Sequence, residues 1–410
     1  MANSKLYEQK VKRLTDVAQG RIPDRVPICA VMETYALVYS GTPLQEAATS
    51  IRKNVEGHAK IYNDIYYDAS YIPTLTHAWE LNWNLGTDVY FISADGFTEQ
   101  HNEYAPMTPE DYPALTANPT QWIFDEFLPR KFSSYDASNE AQKKAFLAST
   151  KDVLGYAATN MYANYLYKKQ DTPVMAGGAC IMPLDFIFDY LRGFRPTVAD
   201  LRRHKEDVMA AVDALADFSI DLTEISYLFG AMSVGPALTA KNAARKFATG
   251  KPFEYASFPW VLNPCHIPAF ISPEQFRDIY FPGYKKVAEH IHSHGGHLVS
   301  IIEGEWGSKL ELFQELPDNS VTVIVENDDP LFVKKAMPNQ SIMAGLPLET
   351  LRDGTRDQCI DAAKRMVDEL APGGHFFFST GNKVLLSAAD GNPENIRAVN
   401  EFVHGYGLYY

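Results

Sequence analysis

Short apolar runs alternate along this chain with longer stretches of helical character, and this alternation constrains the fold more than any other feature. A strand buried on both faces of a parallel sheet reads as a nearly unbroken apolar run, and parallel neighbours need a long crossover, usually a helix. Eight such runs stand out, at 26–32, 69–75, 173–178, 253–260, 297–303, 321–326, 341–346 and 375–380. Eight is the number that closes a parallel barrel. The helices between them carry start signals. Ser272-Pro273-Glu274 sets an N-cap serine before a proline and an acid, and Thr108-Pro109-Glu110-Asp111 and Asn392-Pro393-Glu394 repeat that chemistry. Segments 198–222 and 356–370 space apolar residues by three and four. No strand is evident from about 105 to 170. The expected fold is α/β: a (β/α)8 TIM barrel with N-terminal helices, forming a single domain over 1–410. A helical insertion at about 105–170, after the second strand, would lie over the mouth, where such barrels keep their chemistry.

Composition narrows the function classes. The 410 residues are 46% hydrophobic and 21% charged, enough for a large core. The net charge is −14 and no basic run is present, which argues against nucleic acid as a partner. Cys29, Cys180, Cys265 and Cys359 are far apart, with neither a CxxC spacing nor a disulfide pattern. Residues 1–16 are polar, and no apolar run approaches the ~20 residues that span a bilayer. The expectation is a soluble, reduced, cytoplasmic protein with no membrane partner.

Several local patterns occur in one order. Asp24-Arg25-Val26-Pro27-Ile28 leads into the first strand, and Gly177-Gly178, Pro183-Leu184 and Tyr190-Leu191-Arg192-Gly193 follow from the third. Ile271-Ser272-Pro273-Glu274-Gln275-Phe276 is followed by Phe281-Pro282-Gly283-Tyr284. Gly345-Leu346-Pro347 precedes Leu351 and Gly354-Thr355, and Gly373-Gly374-His375-Phe376 precedes Asn392-Pro393-Glu394-Asn395-Ile396. In this order the patterns resemble the uroporphyrinogen decarboxylase superfamily over nearly the whole chain.

Two branches of that superfamily differ at identifiable positions. The decarboxylases hold a polycarboxylate substrate with arginines just after strand one, since guanidinium forks bidentately onto carboxylate. The corresponding stretch here, Met32-Glu33-Thr34-Tyr35-Ala36-Leu37-Val38-Tyr39, has an acid and no arginine. Tyr67-Asp68-Ala69, Ala78-Trp79-Glu80-Leu81 and Leu85-Gly86 instead resemble the corrinoid-linked methyltransferases. The thiol-specific members of that branch keep a histidine and a cysteine at the end of strand five and a second cysteine after strand eight, as zinc ligands. Here Ile301, Glu303 and Asn382 stand at those places. The loss of the thiolates argues against a thiol substrate.

The resemblance then implies an O-demethylase methyltransferase. Such an enzyme moves a methyl group from an aryl methyl ether to the cobalt(I) of a corrinoid (cobalamin) carried by a separate corrinoid protein. The leaving phenolate gains charge, so a proton donor or Lewis acid on the ether oxygen lowers the barrier. Glu303 closes strand five at the mouth, where a charge on an apolar run is costly without a task. Glu326 closes strand six, and Glu33 follows strand one. These three are the candidate catalytic carboxylates, against the plainer reading of rim carboxylates paired with lysines. Tyr35, His77, Glu80 and Asn382 are candidate substrate contacts, with His77 and Glu80 placed on one helical turn. Glu303, His266 and Cys265 are the candidate ligands if zinc is held. A homodimer is compatible with the resemblance.

The run His290-Ile291-His292-Ser293-His294-Gly295-Gly296-His297 looks like a metal tract. It precedes strand five, at the bottom of a barrel, where histidines complement a helix C-terminus and glycines end the helix. His375 is structural by the same placement. Tyr62, Tyr66, Tyr67, Tyr71, Trp79 and Trp83 crowd the second strand, mostly as core, with some available to stack on an aromatic substrate. Two other readings stand beside methyl transfer: a metal-free decarboxylase of a uroporphyrinogen-like or smaller substrate, and a non-catalytic barrel that binds a tetrapyrrole or corrinoid.

Overall fold

The computed structural model describes residues 4–87, 89–135, 138–230 and 236–409. Residues 1–3 of the polar N-terminal stretch and residues 136–137 of the expected insertion lie outside these. Ten strands follow in chain order: β1 (Ile28–Ala30), β2 (Ala69–Ser70), β3 (Tyr90–Ile92), β4 (Glu99–His101), β5 (Ala176–Ala179), β6 (Trp260–Cys265), β7 (Leu298–Ile302), β8 (Val321–Val325), β9 (Ser341–Leu346) and β10 (Phe376–Gly381). Eight of them form one parallel sheet in the order β2-β1-β10-β9-β8-β7-β6-β5. A parallel bridge between Ser70 and Val174 joins its two ends, so the sheet closes into the expected TIM barrel. No helix among the described residues is long and apolar enough to cross a membrane.

Strand alternation sorts the side chains into two layers. Cys29, Val31, Tyr71, Val299, Ile301 and Ile324 pack in the barrel interior. Ile28, Ala30, Cys265, Ile302, Val323 and Val325 face the helices. Lys5–Ala18 plugs the bottom, with Leu14, Val17 and Ala18 meeting the interior cluster. Ser4 caps this helix, accepting from the Tyr7 N–H at 3.1 Å. Ser272 and Thr355 each begin a helix with a reciprocal capping box.

Two boundaries differ from the sequence expectation. The fourth barrel strand is Trp260–Cys265, not 253–260. The N–H groups of the preceding segment are already engaged outside the sheet. Phe253 N–H donates to Glu224, Glu254 N–H to Asn242, Tyr255 N–H to the His294 carbonyl and Ala256 N–H to the Tyr227 hydroxyl. The chain also leaves the barrel before residue 105. Helix Trp79–Leu85 is followed by the antiparallel hairpin β3–β4, whose turn is anchored by Asp95 accepting from Phe97 N–H and Thr98 N–H. Helical structure then runs to the long helix Asn139–Lys169.

Candidate active site

The interior rows of three barrel strands, the neighbours β7 and β8 and the more distant β1, each end in a charged side chain at the C-terminal mouth. Glu303 continues the row Val299–Ile301, Glu326 continues Thr322–Ile324, and Glu33 continues Cys29–Val31. In the parallel register Cys265 pairs with Ile302, and Ile302 with Val325. One step further along, the same register sets His266, Glu303 and Glu326 side by side.

His266 is the centre of this row. Its Nδ1 lies 2.8 Å from Asp189 Oδ2 and its Nε2 lies 3.1 Å from Glu303 Oε1. Burial alone would make the imidazole less basic, but the hydrogen bonds to Asp189 and Glu303 and their charges lift its pKa to about 11. The group is therefore an imidazolium at neutral pH, bridging two carboxylates. The Glu303 side chain is 43% exposed, so one end of this relay faces the open mouth. Beneath it, the buried Asp185 accepts from the backbone N–H groups of His266 and Ile267, each at 2.9 Å, and from the Tyr280 hydroxyl at 2.7 Å. Burial and the neighbouring Asp189 raise the Asp185 carboxyl, while His266 opposes them.

Glu326 is tied more firmly. It accepts from Gly304 N–H at 2.6 Å and lies 3.3 Å from Lys383 Nζ, the lysine pairing that the plainer reading anticipated. Asn382 donates through Nδ2 to the Glu326 carbonyl at 2.9 Å, and its Oδ1 is buried without a partner. Asn382 thus reaches the mouth by closing the gap between β8 and β10.

A second group occupies the other side of the mouth. Glu33 accepts from Thr76 N–H at 3.0 Å and from the Thr76 hydroxyl. His77 Nδ1 lies 2.7 Å from Glu99 Oε1, on β4, and its ring sits on Tyr90 with centroids 4.1 Å apart. Burial raises the Glu33 carboxyl, and the charge of Glu99 adds to this. For His77 burial acts downward, but Glu99 and then Glu33 outweigh it and keep its pKa above the usual value. Tyr71 stands between the two groups. Its phenol is pushed up by burial and then by the charges of Glu33 and Glu303.

Three expected site residues are placed differently. Cys265 does not join His266 and Glu303. It faces the helical layer, and burial pushes its thiol well up, so it offers no ready thiolate. The zinc set Glu303, His266 and Cys265 is therefore not assembled. Tyr35 is buried and donates to the Gly391 carbonyl at 2.9 Å, which makes it a packing residue. Glu80 is exposed, and the partner of His77 is Glu99, because His77 precedes the helix Trp79–Leu85 that carries Glu80. The histidine run at the barrel bottom is engaged structurally. His290 meets Glu224 at 3.1 Å, and His297 meets the Asn319 carbonyl and the Thr322 hydroxyl at 3.0 and 2.8 Å.

Residues that sequence reasoning missed are Asp185, Asp189 and Glu99. Asp185 and Asp189 had a legible signal, being two acids four apart in the apolar stretch that follows β5. Of the aromatic cluster near the second strand, Tyr71 alone belongs to the barrel interior.

Residues 263–406 match the family model for uroporphyrinogen decarboxylase. A sequence search of curated proteins finds no match. Among solved structures, a methyltransferase from Methanosarcina mazei is similar, with a TM-score of 0.60 and 14% sequence identity over 97% of this chain and 98% of that one. At that identity the likeness is one of fold. The chain is thus similar to the uroporphyrinogen decarboxylase family over its C-terminal barrel strands and helices, and it shares its fold with the Methanosarcina mazei methyltransferase over nearly its whole length.

Proposed function

We propose that the chain is a methyltransferase that takes a methyl group from an aryl methyl ether and passes it to the cobalt(I) of a corrinoid protein docked over the barrel mouth. The observation that carries this reading is the Asp189–His266–Glu303 relay, which ends on a half-exposed carboxylate at the mouth. Ether cleavage needs a proton delivered to the departing oxygen as the methyl carbon is attacked from the far side. His266, held as an imidazolium, keeps a proton within reach of Glu303. Glu303 then presents it to the ether oxygen, which leaves as the phenol, and His266, now a neutral imidazole hydrogen-bonded to Asp189, takes up a proton from solvent before the next turnover. Tyr71, in the interior between Glu33 and Glu303, offers an aromatic face for the ring of the substrate. The fold shared with the Methanosarcina mazei methyltransferase supports the reaction class, and the absence of arginine in the stretch after β1 weighs against a polycarboxylate substrate.

The test mixes the protein with reduced cobalt(I) corrinoid and a panel of phenyl methyl ethers, methylamines and methanol, and follows conversion of the cobalt(I) band to methyl-cobalt(III). Conversion with an aryl ether that Glu303→Gln abolishes supports the reading. No conversion with any donor, alongside an active control enzyme, overturns it and favours decarboxylation or a non-catalytic barrel.

A further inference from the structure

Glu33, His77 and Glu99 reach one point from three separate segments: the end of β1, the loop after β2, and β4 of the hairpin. One ligand atom from each lies within 4.8 Å of the other two, and all three side chains are half-buried. They are the one such group of three metal-ligating side chains among the described residues. The expected zinc set is not assembled, so this cluster is not a relic of it.

Hydrogen bonding within the cluster leaves a specific deficit. His77 has one nitrogen against Glu99 Oε1, but Glu99 Oε2 is enclosed with no hydrogen-bond partner. An enclosed carboxylate oxygen without a donor is destabilising. Two carboxylates also converge on a single histidine, leaving an excess negative charge even when the imidazole is protonated. A divalent cation would meet both needs, accepting the unpartnered oxygen and neutralising the second carboxylate.

The geometry points to a divalent transition-metal site of the zinc class formed by Glu33, His77 and Glu99. One imidazole nitrogen with two carboxylate oxygens suits zinc, iron(II) or manganese better than calcium or magnesium, which favour oxygen ligands alone. Zinc binds such atoms at about 2.0–2.2 Å, which puts tetrahedral ligands roughly 3.3 Å apart. Three protein ligands leave at least one position for water or substrate. The ion would also pin the hairpin to the barrel, since Glu99 is its one ligand from outside the region of β1 and β2. This inference concerns the metal alone and stands apart from the identity of the methyl donor.

The test uses the full chain, stripped with a chelator and titrated calorimetrically with zinc chloride. Cobalt(II) is then loaded in its place for its visible spectrum. The expected result is one equivalent bound per chain with micromolar or tighter affinity, and a thermal midpoint that rises with metal. Glu99→Gln and His77→Gln are expected to weaken binding at least 100-fold and to remove the cobalt spectrum, with the circular dichroism unchanged. If Glu99→Gln does not fold, His77→Gln carries the same test. Glu303→Gln is expected to retain one equivalent. The inference is overturned if the wild-type chain binds neither ion below millimolar concentration, if both cluster variants bind as the wild type does, or if Glu303→Gln is the variant that loses the metal.

Discussion

His266 and Glu303 meet with Nε2 3.1 Å from Oε1 because β6 and β7 pair in a register that carries Cys265 opposite Ile302. The contact is a consequence of sheet register, and neither residue has to leave its strand end to make it.

In the proposed reaction His266 and Glu303 act as one unit. His266→Gln and Glu303→Gln are each expected to lower kcat for ether cleavage by about 100- to 10,000-fold, the usual range for loss of a general acid. The double variant is expected to lose little more than either single one, because both break the same relay. Steady-state and single-turnover rates of cobalt(I) methylation check this.

The charge state of His266 is open to direct measurement. The pKa of its imidazole is lifted to about 11, despite burial, by Asp189 and Glu303. Since this folded value lies above the unfolded one, its contribution to stability is complete below about pH 6.5 and is lost as pH rises through about 11. In a nitrogen-15 titration by NMR, the His266 ring is expected to stay doubly protonated through pH 9. A neutral ring at pH 8 would contradict the relay.

Two other histidines set the acid side of the stability curve. His58 and His297 are buried, and that burial takes each from the ordinary 6.5 down to about 4. The unfolded chain therefore binds more protons between these values, and stability falls as pH drops from about 6.5 to 4. At about 1.4 kcal/mol for each pH unit, the loss is about 3 kcal/mol for each histidine. Urea unfolding at pH 7 and pH 4.5 tests this, and a His297→Gln variant is expected to show the shallower pH dependence.

Arg13 is the stabilising counterpart at the barrel bottom. It is buried against Asp68, which is fully buried and also accepts from Ile28 N–H at 2.8 Å and from the Tyr66 hydroxyl at 2.8 Å. Arg13→Met leaves that carboxylate without its ion-pair partner and is expected to cost about 3–5 kcal/mol. The double variant Arg13→Met with Asp68→Asn is expected to recover part of the loss in urea unfolding.

Tyr35 separates packing from substrate contact. Its hydroxyl donates to the Gly391 carbonyl, inside the protein. Tyr35→Phe is expected to reduce stability by about 1 kcal/mol and to leave KM for the methyl donor unchanged. A several-fold rise in KM would return Tyr35 to the substrate site.

What could be read in the sequence is what depends on local patterning. The strand at 341–346 coincides with β9, and the runs at 297–303 and 321–326 contain β7 and β8, because strands buried on both faces are written as apolar residues. Glu303 and Glu326 stood out for the same reason, as charges ending apolar runs. The run at 253–260 misled, since apolar and aromatic residues there serve a connection whose N–H groups bond to helices. The turn dipeptide Asp95-Gly96 was a legible hairpin signal, but nothing local says that β4 carries Glu99 onto His77.

The sequence by itself determined the parallel barrel and the strand ends that bear charge, because burial and period-two alternation are properties of each segment alone. Only the tertiary structure decided which of those charges meet. Register between neighbouring strands joined His266 to Glu303, barrel closure brought Tyr71 between Glu33 and Glu303, and the folding-over of the hairpin supplied Glu99. Cys265 shows the same division: the sequence placed it beyond the fourth strand on the mouth side, whereas it is the last residue of that strand, and a single step of alternation turned its thiol to the helices.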